Sequence, residues 1–345
     1  MEPIASMISH LDSPKKIVIT THHKPDADAL GSSLALMRFL VKKGHQVTVI
    51  APSDYPVFLN WMEGNDKVLI YAQEQHEALT KITHEADVIF CLDFNSLLRI
   101  HQYGEIVSQA KGLKVMIDHH LEPDSFANYQ LWDTKAAATA VLIYKFIDIC
   151  EGLHLIDTCI AECLYAGIMT DTGSFRHPNT NVEVHEIVAQ LIRAGINTSR
   201  IHKNIFDNNS LDKLKFLGFA LSEKLIVLPQ YHVAYFVINK EELEKYHSQT
   251  GDTEGLVNYA LSLEGIVMAC LMIERSDAVK LSFRSKEDFS VNQFARTHFE
   301  GGGHKNAAGG KSDLDLKATE NKFLEVLPQY EKELINNYKI DQKSC

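Results

Sequence analysis

Three side chains that could hold a metal ion lie close together in the chain: His22, Asp26 and Asp28. The apolar, β-branched residues 17–20 before them predict a buried strand, and the apolar spacing of residues 30–43 predicts a helix after them. An imidazole and two carboxylates in a strand-to-helix loop suit Mn²⁺ or Mg²⁺ better than a thiolate-type zinc site. A polar turn that caps the helix is the simpler interpretation. Asp28 alone would fit it, but the whole group fits it poorly.

Two further groups of acidic and histidine residues follow strongly apolar stretches, at the points where the predicted strands end. They are Asp93 after residues 88–92, and Asp118, His119 and His120 after residues 113–117. Strand patterns alternate with helix patterns here, which predicts an α/β fold with a mostly parallel sheet. The carboxyl ends of parallel strands share one edge, so we expect the groups to converge there. Repulsion between their carboxylates would then favour a bound metal.

Two predicted helices come next, at residues 135–152 and 158–169. Asp171 comes directly after the second one. Taken alone, Asp171 would be an aspartate in a turn. Beside the other acidic groups, it is a further candidate ligand.

After a predicted helix at residues 181–195, the polar residues 197–213 show no strong apolar pattern, and we predict a linker there. The linker would separate a domain of residues 1–196 from a domain of residues 214–340. Mixed strand and helix patterns predict that the second domain is a smaller α+β domain. Its predicted strands are 233–237, 266–272 and 279–283, and its predicted helices are 253–262, 291–299 and 316–335.

A glycine stretch in the second domain could bind an anion. Gly301, Gly302 and Gly303 would expose backbone amides, and His304 adds a further donor. Arg284, in the Ser-Phe-Arg-Ser stretch at 282–285, could clamp a phosphate with two hydrogen bonds. The spacing is not that of a P-loop. A flexible surface loop is the simpler alternative.

Composition limits the partners of the 345-residue chain. Its formal net charge is −11, which argues against a broad surface for long duplex DNA. Six cysteines are scattered without a C-x-x-C pair, so we expect reduced thiols and a cytoplasmic protein. The chain has no apolar run long enough to span a membrane, and we expect no membrane partner.

Together, the groups around His22, Asp93, Asp118 and Asp171 resemble the four motifs of the DHH phosphoesterase superfamily. The Gly-Gly-Gly-His stretch resembles the signature of its DHHA1 domain. Motif order, length and the Ser-Phe-Arg-Ser sequence at 282–285 resemble the NrnA-type members. This resemblance implies a parallel-sheet DHH domain that is joined by a linker to a smaller, substrate-binding DHHA1 domain.

The resemblance also implies a centre of two divalent ions, with Mn²⁺ most expected and Mg²⁺ or Co²⁺ as alternatives. Asp93 would bridge the two ions. The implied ligands are His22, Asp26 and Asp93 for one ion, and Asp28, Asp93, His119 and Asp171 for the other.

Outside the ligand set, the resemblance implies that His120 acts in catalysis by facing the substrate phosphate. Asp118 would orient this loop without binding metal directly. Arg284, residues 301–303 and His304 would bind the far part of the substrate.

The implied reaction is hydrolysis of short oligoribonucleotides (nanoRNA, dinucleotides) and of 3'-phosphoadenosine 5'-phosphate, by a protein that could be a homodimer. A cyclic-dinucleotide phosphodiesterase or an exopolyphosphatase would share the same metal centre. A nucleotide-binding module without catalysis is a further alternative, although it would not need the metal ligands.

Overall fold

A parallel sheet forms the centre of the N-terminal unit, Met1–Asn208, in the computed structural model, which describes residues 1–276 and 278–341. Its strands are Glu2–Pro3 (β1), Lys16–Thr21 (β2), Gln46–Ala51 (β3), Leu69–Ile70 (β4), Val88–Leu92 (β5), Leu113–Asp118 (β6) and Tyr129–Trp132 (β7). Their order is β1-β7-β6-β5-β2-β3-β4, and every pairing between described neighbours is parallel. The expected α/β architecture is therefore confirmed.

Helices cover both faces of this sheet, as a parallel sheet requires. The helices of this unit are Ala27–Lys42 (α1), His76–His84 (α2), Gln102–Gln109 (α3), Thr139–Ile149 (α4), Thr158–Asp171 (α5), Val182–Arg193 (α6) and Thr198–Phe206 (α7). One apolar cluster joins the sheet to α1, α4 and α5, and a second joins the other face to α2 and α3. Strands β2 and β5 are buried on both faces, which explains their continuous apolar sequences.

The strand order reverses between β2 and β5. From β2, the chain adds β3 and β4 on one side, and from β5 it adds β6 and β7 on the other. Such a reversal opens a crevice at the carboxyl ends of the two central strands. His22 and Asp93 directly follow these strands.

Several helices begin later or earlier than expected, among them the helix predicted from residue 253, which begins at Leu256. Helix α1 begins at Ala27, not at residue 30, because the Asp26 side chain caps it by accepting hydrogen bonds from the amides of Asp28 and Ala29. Helix α4 begins at Thr139, not at residue 135. Residues 135–138 therefore form a non-helical segment, although their alanine-rich sequence favours a helix.

The C-terminal unit, which begins at Asn209, is built on a six-stranded mixed sheet of order β12-β13-β11-β10-β9-β8. The strands are Leu225–Leu228 (β8), Val233–Ile238 (β9), Met268–Glu274 (β10), Val279–Ser285 (β11), Gly302–His304 (β12) and Ala307–Ser312 (β13). The helices are Leu211–Phe219 (α8), Lys240–Lys245 (α9), Leu256–Leu261 (α10), Val291–His298 (α11), Leu316–Val326 (α12) and Glu331–Asp341 (α13). The helix predicted at 316–335 is broken by a 3-10 turn that contains Pro328.

The expected glycine loop is instead a hairpin, because β12 and β13 pair in antiparallel fashion. The glycines permit unusually close strands: a Cβ atom on Gly301 would lie 2.1 Å from the carbonyl oxygen of Gly309. Glycine is required there for backbone packing.

Residues 197–213, predicted as a linker, contain all of α7 and the beginning of α8. Ile201 and Ile205 bury the apolar side of α7 in the N-terminal unit. The two units divide between Asn208 and Asn209.

The five cysteines within the described residues are free thiols, and Cys345 lies outside those residues. No helix in the described part of the chain is long and apolar enough to cross a membrane.

We predict that Asp157 stabilises the N-terminal unit, because it caps α5 and pairs with Arg38 and Lys42. Asp157→Ala should lower the free energy of unfolding by about 1–2 kcal/mol in urea titrations. Asp157→Asn keeps the cap and should lose less than about 1 kcal/mol, since ion pairs that stay in contact with water contribute little. Equal losses in the two variants would assign the whole effect to charge.

The same carboxylate should make stability depend on pH. Burial alone would raise the pKa of Asp157, but Lys42, the Ile160 amide and Arg38 lower it to about 2. The stabilisation is therefore present above pH 4 and is lost as the pH falls from about 4 towards 2. The loss should be absent from Asp157→Asn in acid titrations of stability.

Candidate metal centre

The acidic and histidine groups meet at the carboxyl edge of the N-terminal sheet. His22 follows β2, Asp93 follows β5, and His119 follows β6, and these three strands are adjacent. Asp171 comes from a different layer, at the end of α5. Most of these side chains are buried in the described structure, so the fold removes them from bulk water.

The first group is formed by His22, Asp26 and Asp93. His22 Nε2 lies 3.9 Å from Asp26 Oδ2 and 3.4 Å from Asp93 Oδ2. The other ring nitrogen, Nδ1, lies 3.0 Å from the backbone carbonyl oxygen of His23. This contact favours the tautomer in which Nδ1 donates and Nε2 can bind a metal.

The second group is formed by Asp28, His119 and Asp171. His119 Nε2 lies 3.9 Å from Asp28 Oδ2 and 3.5 Å from Asp171 Oδ2. Its Nδ1 lies 3.1 Å from the carbonyl oxygen of Ala136, which again directs Nε2 towards the carboxylates.

Asp93 connects the two groups through its two carboxylate oxygens. Oδ2 lies 3.4 Å from His22 Nε2, and Oδ1 lies 3.4 Å from His119 Nε2. The backbone φ of Asp93 is 63°, in the left-handed region that a residue other than glycine adopts at some energetic cost. The fold thus holds Asp93 where each oxygen faces a different group.

His120 lies beside the groups and is oriented by Asp118. Its Nδ1 is 2.7 Å from Asp118 Oδ1, and Asp118 is completely buried. Among the described residues, the second oxygen of Asp118, Oδ2, has no hydrogen-bond partner. Asp118 therefore positions the His120 ring.

The stretch from Trp132, at the end of β7, to Ala140, in the first turn of α4, supports four site residues, and the sequence did not reveal its role. Trp132 Nε1 donates to the carbonyl oxygen of His120 at 2.7 Å, and the carbonyl oxygen of Ala136 contacts His119. The hydroxyl of Thr139 donates to Asp93 Oδ1 at 2.9 Å. The backbone amides of Thr139 and Ala140 donate to Asp28 at 2.6 and 2.8 Å. The only sequence signal was the run of small residues that ends in a threonine.

The Asp28 side chain, which comes from α1, points to the N-terminus of α4. The free amides and the dipole of α4 stabilise its negative charge there. Gly167 on α5 provides the room: a Cβ atom at this position would lie 2.6 Å from Asp28 Oδ1. Two helices distant in sequence therefore define the position of this carboxylate.

The crowding has a clear electrostatic effect. Burial and the Asp93 carboxylate raise the pKa of Asp28 to about 8. Burial and Asp28 raise the pKa of Asp171 well above its usual value. Burial alone would raise the pKa of Asp93 too, but hydrogen bonds with His119 and His22 hold it well below its usual value. These carboxylates therefore repel one another unless a proton or a cation lies among them.

The residues fit divalent metal ions. Donor atoms of neighbouring side chains lie 3.4–3.9 Å apart in the two groups. Donors about 2.1 Å from one octahedral ion lie about 3 Å apart when adjacent and about 4 Å apart when opposite. Carboxylate oxygens with imidazole nitrogens are a donor set that Mn²⁺ and related ions accept.

His23 is separate from the centre. Its ring stacks on His101 with centroids 4.1 Å apart, and it is half-buried. This fits the expectation that His22 is the ligand candidate of the pair.

The C-terminal candidates share one short hairpin region. Arg284 on β11 and His304 on β12 both pair with Ala307 of β13, so the three residues form one row across the strands. The amide of Gly303 donates to the buried side chain of Asn292 at 2.9 Å. Asn292 is a further residue that the sequence did not single out.

Two family models match the chain: the DHH family, N-terminal domain, over residues 16–168, and the DHHA1 domain over residues 230–333. A crystal structure of an exopolyphosphatase-related protein from Bacteroides fragilis is 36% identical, with a TM-score of 0.89, and the alignment covers 96% of this chain and 97% of that one. The chain belongs to the DHH family. The similarity to DHH proteins with a DHHA1 domain, expected from the motifs, is thus confirmed.

Curated DHH relatives match over most of their length. The bifunctional oligoribonuclease and PAP phosphatase NrnA of Thermus thermophilus is 28% identical over 333 residues, which cover 95% of this chain and 93% of the relative. The protein of the same description from Bacillus subtilis is 28% identical over 294 residues, 85% of this chain and 88% of the relative. DHH-family membership makes this chain similar to phosphoesterase hydrolases.

We predict that Thr139 orients Asp93 for metal binding, because its hydroxyl donates to Asp93 Oδ1. Thr139→Val keeps the shape of the side chain and removes the donor, so Mn²⁺ affinity should fall about 10–100-fold in calorimetric titrations. Thr139→Ser keeps the hydroxyl and should bind within about threefold of wild type. Similar losses in the two variants would contradict this role.

Proposed function

We propose that this DHH protein is a divalent-metal-dependent phosphoesterase that hydrolyses short oligoribonucleotides and 3'-phosphoadenosine 5'-phosphate. The observation that carries the proposal is the position of Asp93, whose two oxygens face His22 and His119. A carboxylate in this position would bridge two ions.

We assign the ligands by these contacts. His22, Asp26 and Asp93 would hold one ion, and Asp28, Asp93, His119 and Asp171 would hold the second. Two such ions, with Mn²⁺ the expected one, would activate a water molecule and neutralise charge on the reacting phosphate.

His120 would act on the substrate directly. Its Nδ1 is held by Asp118, so Nε2 is the nitrogen that can donate to a phosphate oxygen or to the leaving group. The Trp132 indole fixes the backbone of His120 from a neighbouring strand, which should keep the ring position constant during the reaction.

The substrate proposal is supported by the two curated relatives, both described as bifunctional oligoribonuclease and PAP phosphatase. In the C-terminal unit, Arg284 would hold a phosphate away from the scissile bond, and His304 and residues 301–303 would line the same position.

Asp93→Asn should lower kcat about 1,000-fold or more, because both ions would lose a charged ligand. The assay is dinucleotide hydrolysis after chelation and addition of Mn²⁺, with folding checked by circular dichroism. Asp66→Asn, at an exposed position of the same unit, should retain wild-type activity. Near-wild-type turnover by Asp93→Asn would refute the bridging assignment.

A substrate panel tests the substrate class in the same assay. It contains dinucleotide RNA, a longer RNA, 3'-phosphoadenosine 5'-phosphate, linear and cyclic di-adenylate, and polyphosphate. We expect fast cleavage of the dinucleotide and of 3'-phosphoadenosine 5'-phosphate, and slow cleavage of the long RNA. Exclusive cleavage of the cyclic dinucleotide or of polyphosphate would contradict the substrate proposal, and no turnover of any compound would favour a binding module.

Arg284→Ala should raise KM for dinucleotides about 10–100-fold, the loss expected for a charged hydrogen bond. It should slow a small generic phosphodiester, such as bis(p-nitrophenyl) phosphate, much less. Steady-state kinetics with both substrates provide the comparison. Equal losses on the two substrates would show that Arg284 acts on the general architecture.

A further inference from the structure

The peptide group between His23 and Lys24 orients the ring of His22. Its carbonyl oxygen lies 3.0 Å from His22 Nδ1, which leaves Nε2 to face Asp93. Its amide, the N–H of Lys24, donates to the side-chain hydroxyl of Ser53 at 2.7 Å. Because a peptide group is planar, the direction of its N–H fixes the direction of its C=O. The Ser53 hydroxyl therefore determines where the carbonyl that orients His22 points.

This peptide group adjoins a residue with a strained backbone. Lys24 has a φ of 57°, in the left-handed region that a residue other than glycine adopts at some energetic cost. Its side chain pairs with Asp54, but the two side chains are 47% and 58% exposed, and such an ion pair contributes little. The conformation at Lys24 therefore depends on the buried Pro25 and on hydrogen bonds to the loop backbone.

Ser53 is held in position for this contact. It is 8% exposed, and its hydroxyl donates to the carbonyl oxygen of Asp54 at 2.9 Å. A hydroxyl has one hydrogen and two lone pairs, so it can accept from the amide of Lys24 at the same time. Ser53 follows the end of β3, where the carbonyl oxygen of Ala51 accepts from the amide of Tyr71 at 2.8 Å. The hydroxyl is therefore a fixed acceptor beside the loop.

The two candidate ion positions depend on different parts of the fold. His22 and Asp26 both lie on the loop of residues 22–26, and the Asp26 side chain is 43% exposed. Asp28, in the second group, is completely buried and accepts hydrogen bonds from two amides at the N-terminus of α4. A change in the loop backbone should therefore disturb the first ion position and leave the second largely intact.

We propose that Ser53 is a positioning residue for the first ion, because its hydroxyl fixes the peptide group that orients His22. The inference rests on the proposed function and deepens it, since it assigns control of one ion position to a residue that binds neither ion. Strands β5, β2 and β3 are adjacent, and Asp93, His22 and Ser53 follow them within two residues at one edge of the sheet. The site thus extends one strand beyond the candidate ligands.

Ser53→Ala should weaken one of two Mn²⁺ binding steps about 10-fold and leave the other within about twofold of wild type. The measurement is calorimetric titration of Mn²⁺ into the chelated protein, with free Mn²⁺ followed by electron paramagnetic resonance. The matched control is Ser13→Ala, at an exposed serine before the opposite end of β2, and it should bind both ions as wild type does. Equal losses at the two steps would overturn the proposal.

A second background identifies the ion that responds. In His22→Ala, the first position has lost the ring that Ser53 orients, so the addition of Ser53→Ala should cause no further loss of Mn²⁺ affinity. Non-additivity of this kind is expected for residues that act through a shared contact. A further loss of about 10-fold in the double variant would show that Ser53 acts elsewhere, and the proposal would fail.

The strain at Lys24 provides a rescue experiment. Lys24→Gly keeps the amide and adopts a positive φ without steric cost, so it should recover at least about threefold in Mn²⁺ affinity when it is added to Ser53→Ala. Lys24→Ala removes the same ion pair with Asp54 but keeps a Cβ atom, and it should recover nothing. Equal behaviour of the two variants would contradict the proposal.

These binding measurements require no hydrolysis, so they separate the role of Ser53 from the proposed function. Two-ion binding by the wild type, with unchanged affinities in Ser53→Ala, would overturn the role of Ser53 and leave the proposed function standing. A wild type that binds no Mn²⁺ would overturn both. Weaker binding of one ion by Ser53→Ala would support the role of Ser53 even if no nucleotide in the panel were cleaved.

Discussion

Repulsion among buried carboxylates is the constraint on which the N-terminal unit depends. Asp28, Asp93 and Asp171 lie around one imidazole, that of His119, within 3.4–3.9 Å of its Nε2. Such a cluster is costly in a low-dielectric interior. Parallel strands provide the geometry, because their carboxyl ends bring residues that are distant in sequence to one edge. The metal ions proposed here would remove the repulsion.

The surrounding structure compensates for the same repulsion with backbone dipoles. The N-terminus of α4 stabilises Asp28, and Asp26 caps α1, so each carboxylate accepts hydrogen bonds from free amides. The side-chain hydroxyl of Thr139 donates a further hydrogen bond, to Asp93. These contacts also fix the direction of each oxygen. Electrostatic stabilisation and the orientation of ligands therefore come from the same bonds.

In the C-terminal unit, the central sheet has a polar surface on one face and an apolar core on the other. Alternation along β11 does this: Leu281 and Phe283 face the apolar cluster, whereas Ser282 and Arg284 lie on the other face. The glycine and alanine residues of β13 have no long side chains that would project from that face. Because successive side chains of a strand point to opposite faces, β11 places its core residues on one face and the residues to which we assign substrate recognition on the other.

The sequence by itself determined the fold class, and it predicted the candidate metal ligands and their places after apolar strands. The predicted strand at residues 88–92 agrees with β5, and the one at 17–20 lies within β2, because strands buried on both faces leave continuous apolar runs. Strand β7 and the segment at 135–138 were missed, since their contacts are not local. Only the tertiary structure decided which atoms meet: the amide of Thr139 reaches Asp28 across 111 positions of sequence. Local patterns record burial and periodicity, whereas the partner of a buried charge depends on how distant helices pack.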